Sequence, residues 1–490
     1  MRRSSRPRQR GVIAVLCCAM VLGILAIVGL ALDLAMVYNR KAELQGLAEA
    51  TALAAARELN GTSAGITSAA TAAANAALGF RYQYNQQAVA WSSDALRFAA
   101  AANTPDEGWT DAAGAQAAPV SMLYAKVDTR ALPGDAGVVA TMFMLLTPNG
   151  PLSVSTAARA VAGRVSTLVT PLAICAQSPA PAAARANVAG SGMYDELVEF
   201  GFRRGVSYDL MNLNPNGATP ENFVIDPLAP PGVAGTAAHF ASDVVGPFVC
   251  AGQLPMPTVM GGQLTLQRGF PLGAYAAHLN SRFDDYAGHA CTAEGAPPDS
   301  NIMPFDKSTI AWMVPGPATQ AADSWQSGGK LWTRADPLPG DASNTAPLYG
   351  TLWAYARAVP YATYTAQPAE PAGGYGGFQT TAWSKLYAPG PPAATGYPST
   401  SLTLAPYALS SSSTFRAPTT PEHQPGVAKR RVLNVALLDC PVAAGAITSA
   451  SVRGVGRFFM TVPATAASLN AEFGGVAPAA ALSGTVELQR

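Results

Sequence analysis

Six cysteines and four histidines hold most of the reactive chemistry in this chain of 490 residues. Cys17 and Cys18 lie inside an uninterrupted apolar run, where a thiol behaves as a small hydrophobic group. Cys175, Cys250, Cys291 and Cys440 are separated by tens of residues, with no CxxC pair among them. An even set at that spacing favours two disulfides over a zinc site, whose ligands usually come in close pairs. The shorter loop would join Cys250 to Cys291 and leave Cys175 for Cys440. His239, His278, His289 and His423 are scattered, and His289 beside Cys291 reads as a loop histidine next to a disulfide. Asp284, Asp285, Asp299 and Asp306 fit no EF-hand spacing and read as surface carboxylates. HExxH, GxSxG and complete GxGxxG patterns are missing, and Ser327-Gly328-Gly329-Lys330-Leu331 lacks the upstream glycine and the Ser/Thr of a phosphate-binding loop. The sequence thus predicts no catalytic, cofactor-binding or metal-binding residue.

The element that must position everything else is the stretch 11–59. From Val12 to Leu32 no residue is charged or strongly polar, and at ~1.5 Å per residue the run spans the roughly 30 Å hydrocarbon core of a bilayer. A cleavable signal peptide has a shorter apolar region and a small-x-small cleavage site, whereas this run leads into Leu32-Asp33-Leu34. A retained transmembrane helix over 12–32 is the expectation, behind a basic cytoplasmic tail over 1–11. Arg2, Arg3, Arg6, Arg8 and Arg10 precede it, while only Arg40 and Lys41 follow closely, so the N-terminus stays inside and the remainder outside. That places the four later cysteines in an oxidising compartment. Beyond Leu32 the chain has no Pro and only Gly46 before Asn60, and is filled with strong helix formers. The helix should therefore continue as an amphipathic stalk, with Leu34, Val37, Tyr38, Leu44, Leu47 and the alanines near Leu53 forming one packing stripe. Asn60-Gly61 supplies a stop, and Thr62 or Ser63 caps a second Ala-rich helix ending near Gly79, so 33–79 reads as a helical hairpin whose small-residue face requires a partner surface.

With 49% hydrophobic and 12% charged residues the remainder can bury a large core, while 46 Gly and 40 Pro imply many turns. A net charge of +1 leaves no basic footprint for nucleic acid. Residues 80–165 read as a small sheet-containing subdomain, with strand candidates RYQYNQQAVAW, DALRFAA, VSMLYAKVDTR and LSVSTAARAVAGRV, and a short helix through GVVATMFMLL capped by Asp135. Residues 166–490 read as a larger ectodomain in which RRVLNVALLDC and SVRGVGRFFMTV are strand candidates, and LNAEFGG and SGTVELQR close the chain, the last as a terminal strand. Within it, 366–426 is rich in Pro, Gly and Ser and reads as a long irregular insertion. The fold class is α+β: a transmembrane helix, its stalk, and a disulfide-bearing mixed ectodomain.

Particular residues in the first helix carry a resemblance. Arg10-Gly11 opens the span, Asp33 closes it, and Leu44-Gln45, Ala48-Glu49-Ala50 and Ala52-Leu53-Ala54-Ala55-Ala56 follow. This pattern resembles the TadG/TadE-like membrane-anchored proteins of the bacterial tight-adherence (Flp) pilus assembly system, with Glu49 where the family usually has Asp and Thr51 breaking the alanine run. Leu16 stands where a type IV prepilin has Glu, which weakens processing and polymerisation as a major subunit. Some such anchors carry a von Willebrand-type module whose metal site begins Asp-x-Ser-x-Ser. Asp341-Ala342-Ser343-Asn344-Thr345 is similar, but it follows Pro337-Leu338-Pro339-Gly340 and reads as a turn, not the end of a buried strand. The resemblance implies a single-pass protein of the bacterial inner membrane, non-enzymatic, that meets the bilayer and other pilus-assembly or pseudopilin-like proteins through its stalk. A surface adhesin using 366–426, or a hydrolase without a linear motif, are the competing classes.

Overall fold

The computed structural model describes residues 10–82, 86–119, 122–144, 150–288, 291–306, 320–322, 324–333, 349–387, 405–408 and 414–489. These belong to two compact units, Met1–Arg164 with Val486–Arg490, and Val165–Thr485.

The first unit is built on α1, a single helix over Arg10–Glu58. From Ile13 to Leu32 every residue except Gly29 is exposed, so the protein itself covers almost none of this apolar surface. The helix is long and apolar enough to cross a membrane. Beyond it the environment reverses: Leu44, Leu47, Ala48, Ala52, Ala55 and Ala56 are fully buried. Asn60 Oδ1 accepts from the Thr62 amide at 3.0 Å, and Gly61 turns the chain at φ +79°. Thr62 Oγ1 then accepts from the Gly65 amide at 3.0 Å as the N-cap of α2, Ser63–Leu78. Ile66, Ala69 and Ala73 of α2 share a core with Ala48, Ala52 and Ala55 of α1. Side chains this small let two backbones approach closely.

Against this hairpin lies an antiparallel sheet of β1 (Leu96–Ala99), β2 (Tyr124–Asp128), β5 (Arg159–Arg164) and the C-terminal strand Val486–Gln489, in that order. Phe98 pairs with Ala125 and Ala125 with Ala162, and alternate residues along each strand, Phe98, Ala125, Val127, Ala160 and Ala162, enter the alanine core. A short helix, α3 (Ala112–Ala117), capped by the Asp111 carboxylate, follows β1. Between β2 and β5 stands a hairpin of β3 (Val138–Ala140) and β4 (Ser153–Ser155).

Four expectations change here. The helix through GVVATMFMLL is replaced by β3 and the turn that follows it, because Gly134 and Asp135 both adopt positive φ and the β-branched pair Val138-Val139 enters a hairpin; residues 145–149 lie outside the described ones. Among its described residues, RYQYNQQAVAW contributes the bridge Arg81–Ala88 and no strand, with Gln86 at φ +55°. Leu34 and Tyr38 are exposed, so the packing stripe is carried from Leu44 onward. The strand in SGTVELQR joins β5 instead of the larger unit.

The second unit is organised around strands that close on themselves. Its order is β10 (Ser207–Asp209), β17 (Asn470–Val476), β16 (Ile447–Met460), β12 (Gln263–Arg268), β11 (Asn222–Ile225), β6 (Leu172–Cys175) and β15 (Val432–Leu438). β15 runs parallel to β6 and also antiparallel to β16, which completes a ring of five strands. β16 can serve both because it is 14 residues long: Ile447–Ser451 pairs with β12, and Val452–Phe459 with β15. One set of alternating residues, including Ala173, Cys175, Phe223, Ile225, Leu264, Leu266, Ala436 and Leu438, packs together. The other, Leu172, Ile174, Val224, Leu433, Val435 and Leu437, packs with Val245 and Val249 of α4 (Ser242–Ala251) and Tyr275 and Leu279 of α5 (Leu272–Asn280).

Among the described residues, a three-stranded sheet of β7 (Ala183–Ala186), β8 (Asp195–Glu199) and β9 (Phe202–Arg203), and a hairpin of β13 (Ser324–Ser327) and β14 (Lys330–Thr333), complete the strands of this unit. The segment 366–426 departs from its reading as an irregular insertion. Phe378, Trp383, Leu386 and Tyr387 are buried in the main core, with Trp383 and Tyr387 ring centroids 5.0 Å apart. Its Gly/Pro content hid these aromatic anchors, while 388–404 and 409–413 lie outside the described residues.

Candidate functional site

On α1, Gln45 and Glu49 stand one turn apart, and Gln45 Nε2 donates to Glu49 Oε1 at 2.7 Å. Both remain half-buried while their neighbours Leu44, Leu47 and Ala48 are wholly covered. They line a cleft of about 850 Å³ together with Asn103, Thr104, Asp106, Trp109, Lys126 and Arg159. Lys126 on β2 and Arg159 on β5 both reach Asp106 Oδ1, at 3.1 and 2.8 Å. The hydrogen bond and charge of Lys126, then the charge of Arg159, hold the exposed Asp106 carboxyl below its ordinary range. Lys126 Nζ also lies 4.5 Å from the Trp109 ring centroid, and Trp109 Nε1 donates to the Thr104 carbonyl at 2.8 Å. The cleft therefore offers amide, carboxylate, cationic and aromatic surface.

Asp33 is the second feature of α1. Its side chain is fully buried although it sits where the apolar run ends. The carboxylate accepts from three consecutive amides, Met142 at 3.1 Å, Phe143 at 2.8 Å and Met144 at 2.7 Å. Farther along, Arg40 donates to the Ala136 carbonyl at 3.0 Å, and its guanidinium lies 3.9 Å from the Tyr82 ring centroid. Ala52 and Ala55 face α2 and the sheet, so the small-residue face that seemed to require a partner is covered within the chain. Arg10 and Gly11 form the start of α1.

In the second unit, Cys250 and Cys291 lie at disulfide distance with Cα atoms 5.8 Å apart, and Cys175 and Cys440 with Cα atoms 5.6 Å apart. The latter bridge closes the parallel pair of strands, where Cys175 registers with Leu438. Among the described residues, Cys175, Glu221 and Cys440 are the one group of potential metal ligands. Two of its donors are tied in the disulfide and the third is paired with Arg268, so no open ligand set remains.

Of the four aspartates read as surface carboxylates, Asp285 is exposed, whereas Asp284 and Asp299 hold structural contacts. Asp299 is fully buried and accepts from the Arg431 amide and the Tyr407 hydroxyl, each at 2.9 Å. Asp284 accepts from the Thr419 and Thr420 amides at 2.7 and 3.1 Å and from His423 Nδ1 at 2.5 Å. A second pair, His239 Nδ1 and Asp226 Oδ2, stands at 2.8 Å. The Asp341–Thr345 pattern and His289 lie outside the described residues. Asp106, Trp109, Lys126 and Arg159 have no linear signal, since three separate segments bring them together.

Residues 11–58 match the Tad family model, of Flp pilus-assembly TadE/G-like proteins. The matched stretch coincides with α1, including Asp33, Gln45, Glu49, Ala52 and Ala55. No curated protein matches the chain, and no solved structure does.

Proposed function

We propose that this chain is a non-catalytic component of a Tad/Flp pilus-assembly machine, held in the bacterial inner membrane by the first half of α1, with both compact units outside the cytoplasm. The observation that carries this reading is the change of environment along one uninterrupted helix: apolar and uncovered through Leu32, then enclosed by α2 and the sheet from Leu44. A helix of that kind joins a membrane span to a folded unit without a hinge, and the Tad match falls on that helix. The arginines ahead of the span set the orientation. In this reading the chain meets other assembly proteins through the cleft beside Gln45 and Glu49, because the alanine face of α1 is occupied.

Alkaline phosphatase fused after Arg490 tests the topology and is expected to be active; an inactive fusion refutes it. The role is tested in the host by combining Gln45→Ala, Glu49→Ala and Arg159→Glu. These side chains are half-buried or exposed, so the protein should persist at its normal level in the membrane while pili are lost. Normal piliation would rule out the cleft as the docking site, and normal piliation after deletion of the whole chain would rule out the assembly role.

A further inference from the structure

At the loop end of the β3–β4 hairpin, Met142, Phe143 and Leu152 present apolar surface that the described residues leave uncovered. Met142 and Leu152 are 70% and 74% exposed, and Phe143 is 37% exposed. Single exposed apolar residues are ordinary on a protein surface, but the position of these is not. The Phe143 ring rests on Gly29 of α1, where an added Cβ would come within 2.5 Å of ring carbon Cγ. Gly29 lies three residues before the end of the apolar run, ~4.5 Å along the helix axis from Leu32. A loop that touches α1 at Gly29 therefore sits at the depth of the span itself.

At that depth free backbone amides are costly, because hydrocarbon supplies no acceptor. Those of Met142, Phe143 and Met144 all donate to the Asp33 carboxylate, and the Thr141 amide donates to the Leu152 carbonyl at 3.1 Å. The same arrangement explains why a carboxylate at the end of a transmembrane run is buried: three donors replace the water it gives up. The geometry points to a second membrane contact. Met142, Phe143 and Leu152, at the loop end of the β3–β4 hairpin, insert into the outer leaflet beside α1, and Asp33 is the residue that makes the Met142–Met144 backbone compatible with lipid. This rests on the membrane-spanning reading of α1. The occupant of this apolar surface is the acyl region of the bilayer that α1 crosses, continuous with the uncovered surface of Leu30 and Leu32.

The test uses the full chain carrying Cys17→Ala and Cys18→Ala, with one cysteine introduced in turn by Leu22→Cys, Leu32→Cys, Ala50→Cys, Met142→Cys or Leu152→Cys. Each variant is labelled with an environment-sensitive fluorophore and reconstituted into vesicles of phosphatidylethanolamine and phosphatidylglycerol that contain a lipid spin-labelled near its headgroup. All five positions are exposed, so the substitutions spare the core. Labels at Met142 and Leu152 are expected to be quenched as strongly as the label at Leu32, with Ala50 unquenched. Adding Asp33→Ala, which strips three amides of their acceptor, is expected to lower quenching at Met142 and leave Leu32 unchanged. If Met142 and Leu152 behave like Ala50 while Leu22 and Leu32 are protected from water, the insertion is refuted and the anchor stands. A hairpin end that packs on another protein gives that same result, since these vesicles hold only lipid. Loss of lipid contact at Leu22 as well refutes the spanning reading itself.

Discussion

Removing the two disulfides should destabilise the second unit unequally. The Cys175–Cys440 bridge closes a loop of sequence separation 265 and the Cys250–Cys291 bridge one of 41. In the chain-entropy treatment these correspond to ceilings of about 5.6 and about 3.9 kcal/mol at room temperature, and residual structure in the unfolded chain brings both down. Position widens the gap. Cys175–Cys440 fastens the parallel contact of β6 with β15, on which closure of the five-stranded ring depends, whereas Cys250–Cys291 joins the end of α4 to a loop in a small cluster with Ala296. Two double variants, Cys175→Ala with Cys440→Ala and Cys250→Ala with Cys291→Ala, would be purified in detergent and unfolded in urea. The buried Trp353 and Trp383 report on the core of this unit. The expected order of midpoints is wild type, then the 250/291 variant, then the 175/440 variant. Against a net stability of about 5–15 kcal/mol for a domain, losing the long-loop bridge is serious. A 175/440 variant that unfolds at the wild-type midpoint, or after the 250/291 variant, would overturn the reasoning.

Ala52→Leu and Ala55→Leu each force a larger side chain between α1 and its own partners, which should cost about 1–3 kcal/mol and lower the thermal midpoint of the isolated protein; an unchanged midpoint would mean that this interface is not packed as described. Glu472 is buried and its two oxygens accept from the amides of Ala354, Tyr355 and Ala356, with Tyr355 at 2.8 Å. Glu472→Gln sets an amide N–H against one of those donors, so a loss of about 1–3 kcal/mol is expected in urea unfolding, and a neutral result would contradict the cap. For Asp284, burial pushes the carboxyl up, but the bonds from His423, Thr420 and Thr419 outweigh it and hold the carboxyl below its usual 3.8. A depressed carboxyl contributes stability above the unfolded value that disappears as pH falls through the folded one. The stability gap between wild type and Asp284→Asn should therefore shrink below about pH 4, and a gap that widens in acid would reverse the sign of this account.

What was legible in the sequence was what short-range physics decides. The length of α1, its stop at Asn60-Gly61, the Thr62 cap and the buried strand that closes just before Cys440 all follow from propensity, capping and alternation between near neighbours. What escaped depends on contacts far apart in the chain. Nothing near Met142 announces that Asp33, 109 residues earlier, will take its amide. Nothing near Arg431 signals that it is fully buried and donates to the carbonyls of Asn301, Met303, Met460 and Thr461. The cleft residues Asp106, Lys126 and Arg159 were ordinary charges until the sheet gathered them.

The wrapping of α1 also limits how such a chain can assemble. A helix that packs into a polymer needs its small-residue face free, and that face is the one Ala48, Ala52 and Ala55 present to Ile66, Ala69 and Ala73 of α2. Opening it would break a core that also holds Phe98, Val127 and Ala162, at a cost that rises with every apolar side chain exposed. The surfaces of α1 that escape this constraint include the apolar half through Leu32, available to lipid or to another membrane helix, and the Gln45–Glu49 edge of the cleft. Both lie inside the stretch that matches the Tad family model. A partner that takes the cleft leaves the hairpin core intact, so docking there can be reversible, whereas exchange of α2 for a partner helix would require the unit to unfold.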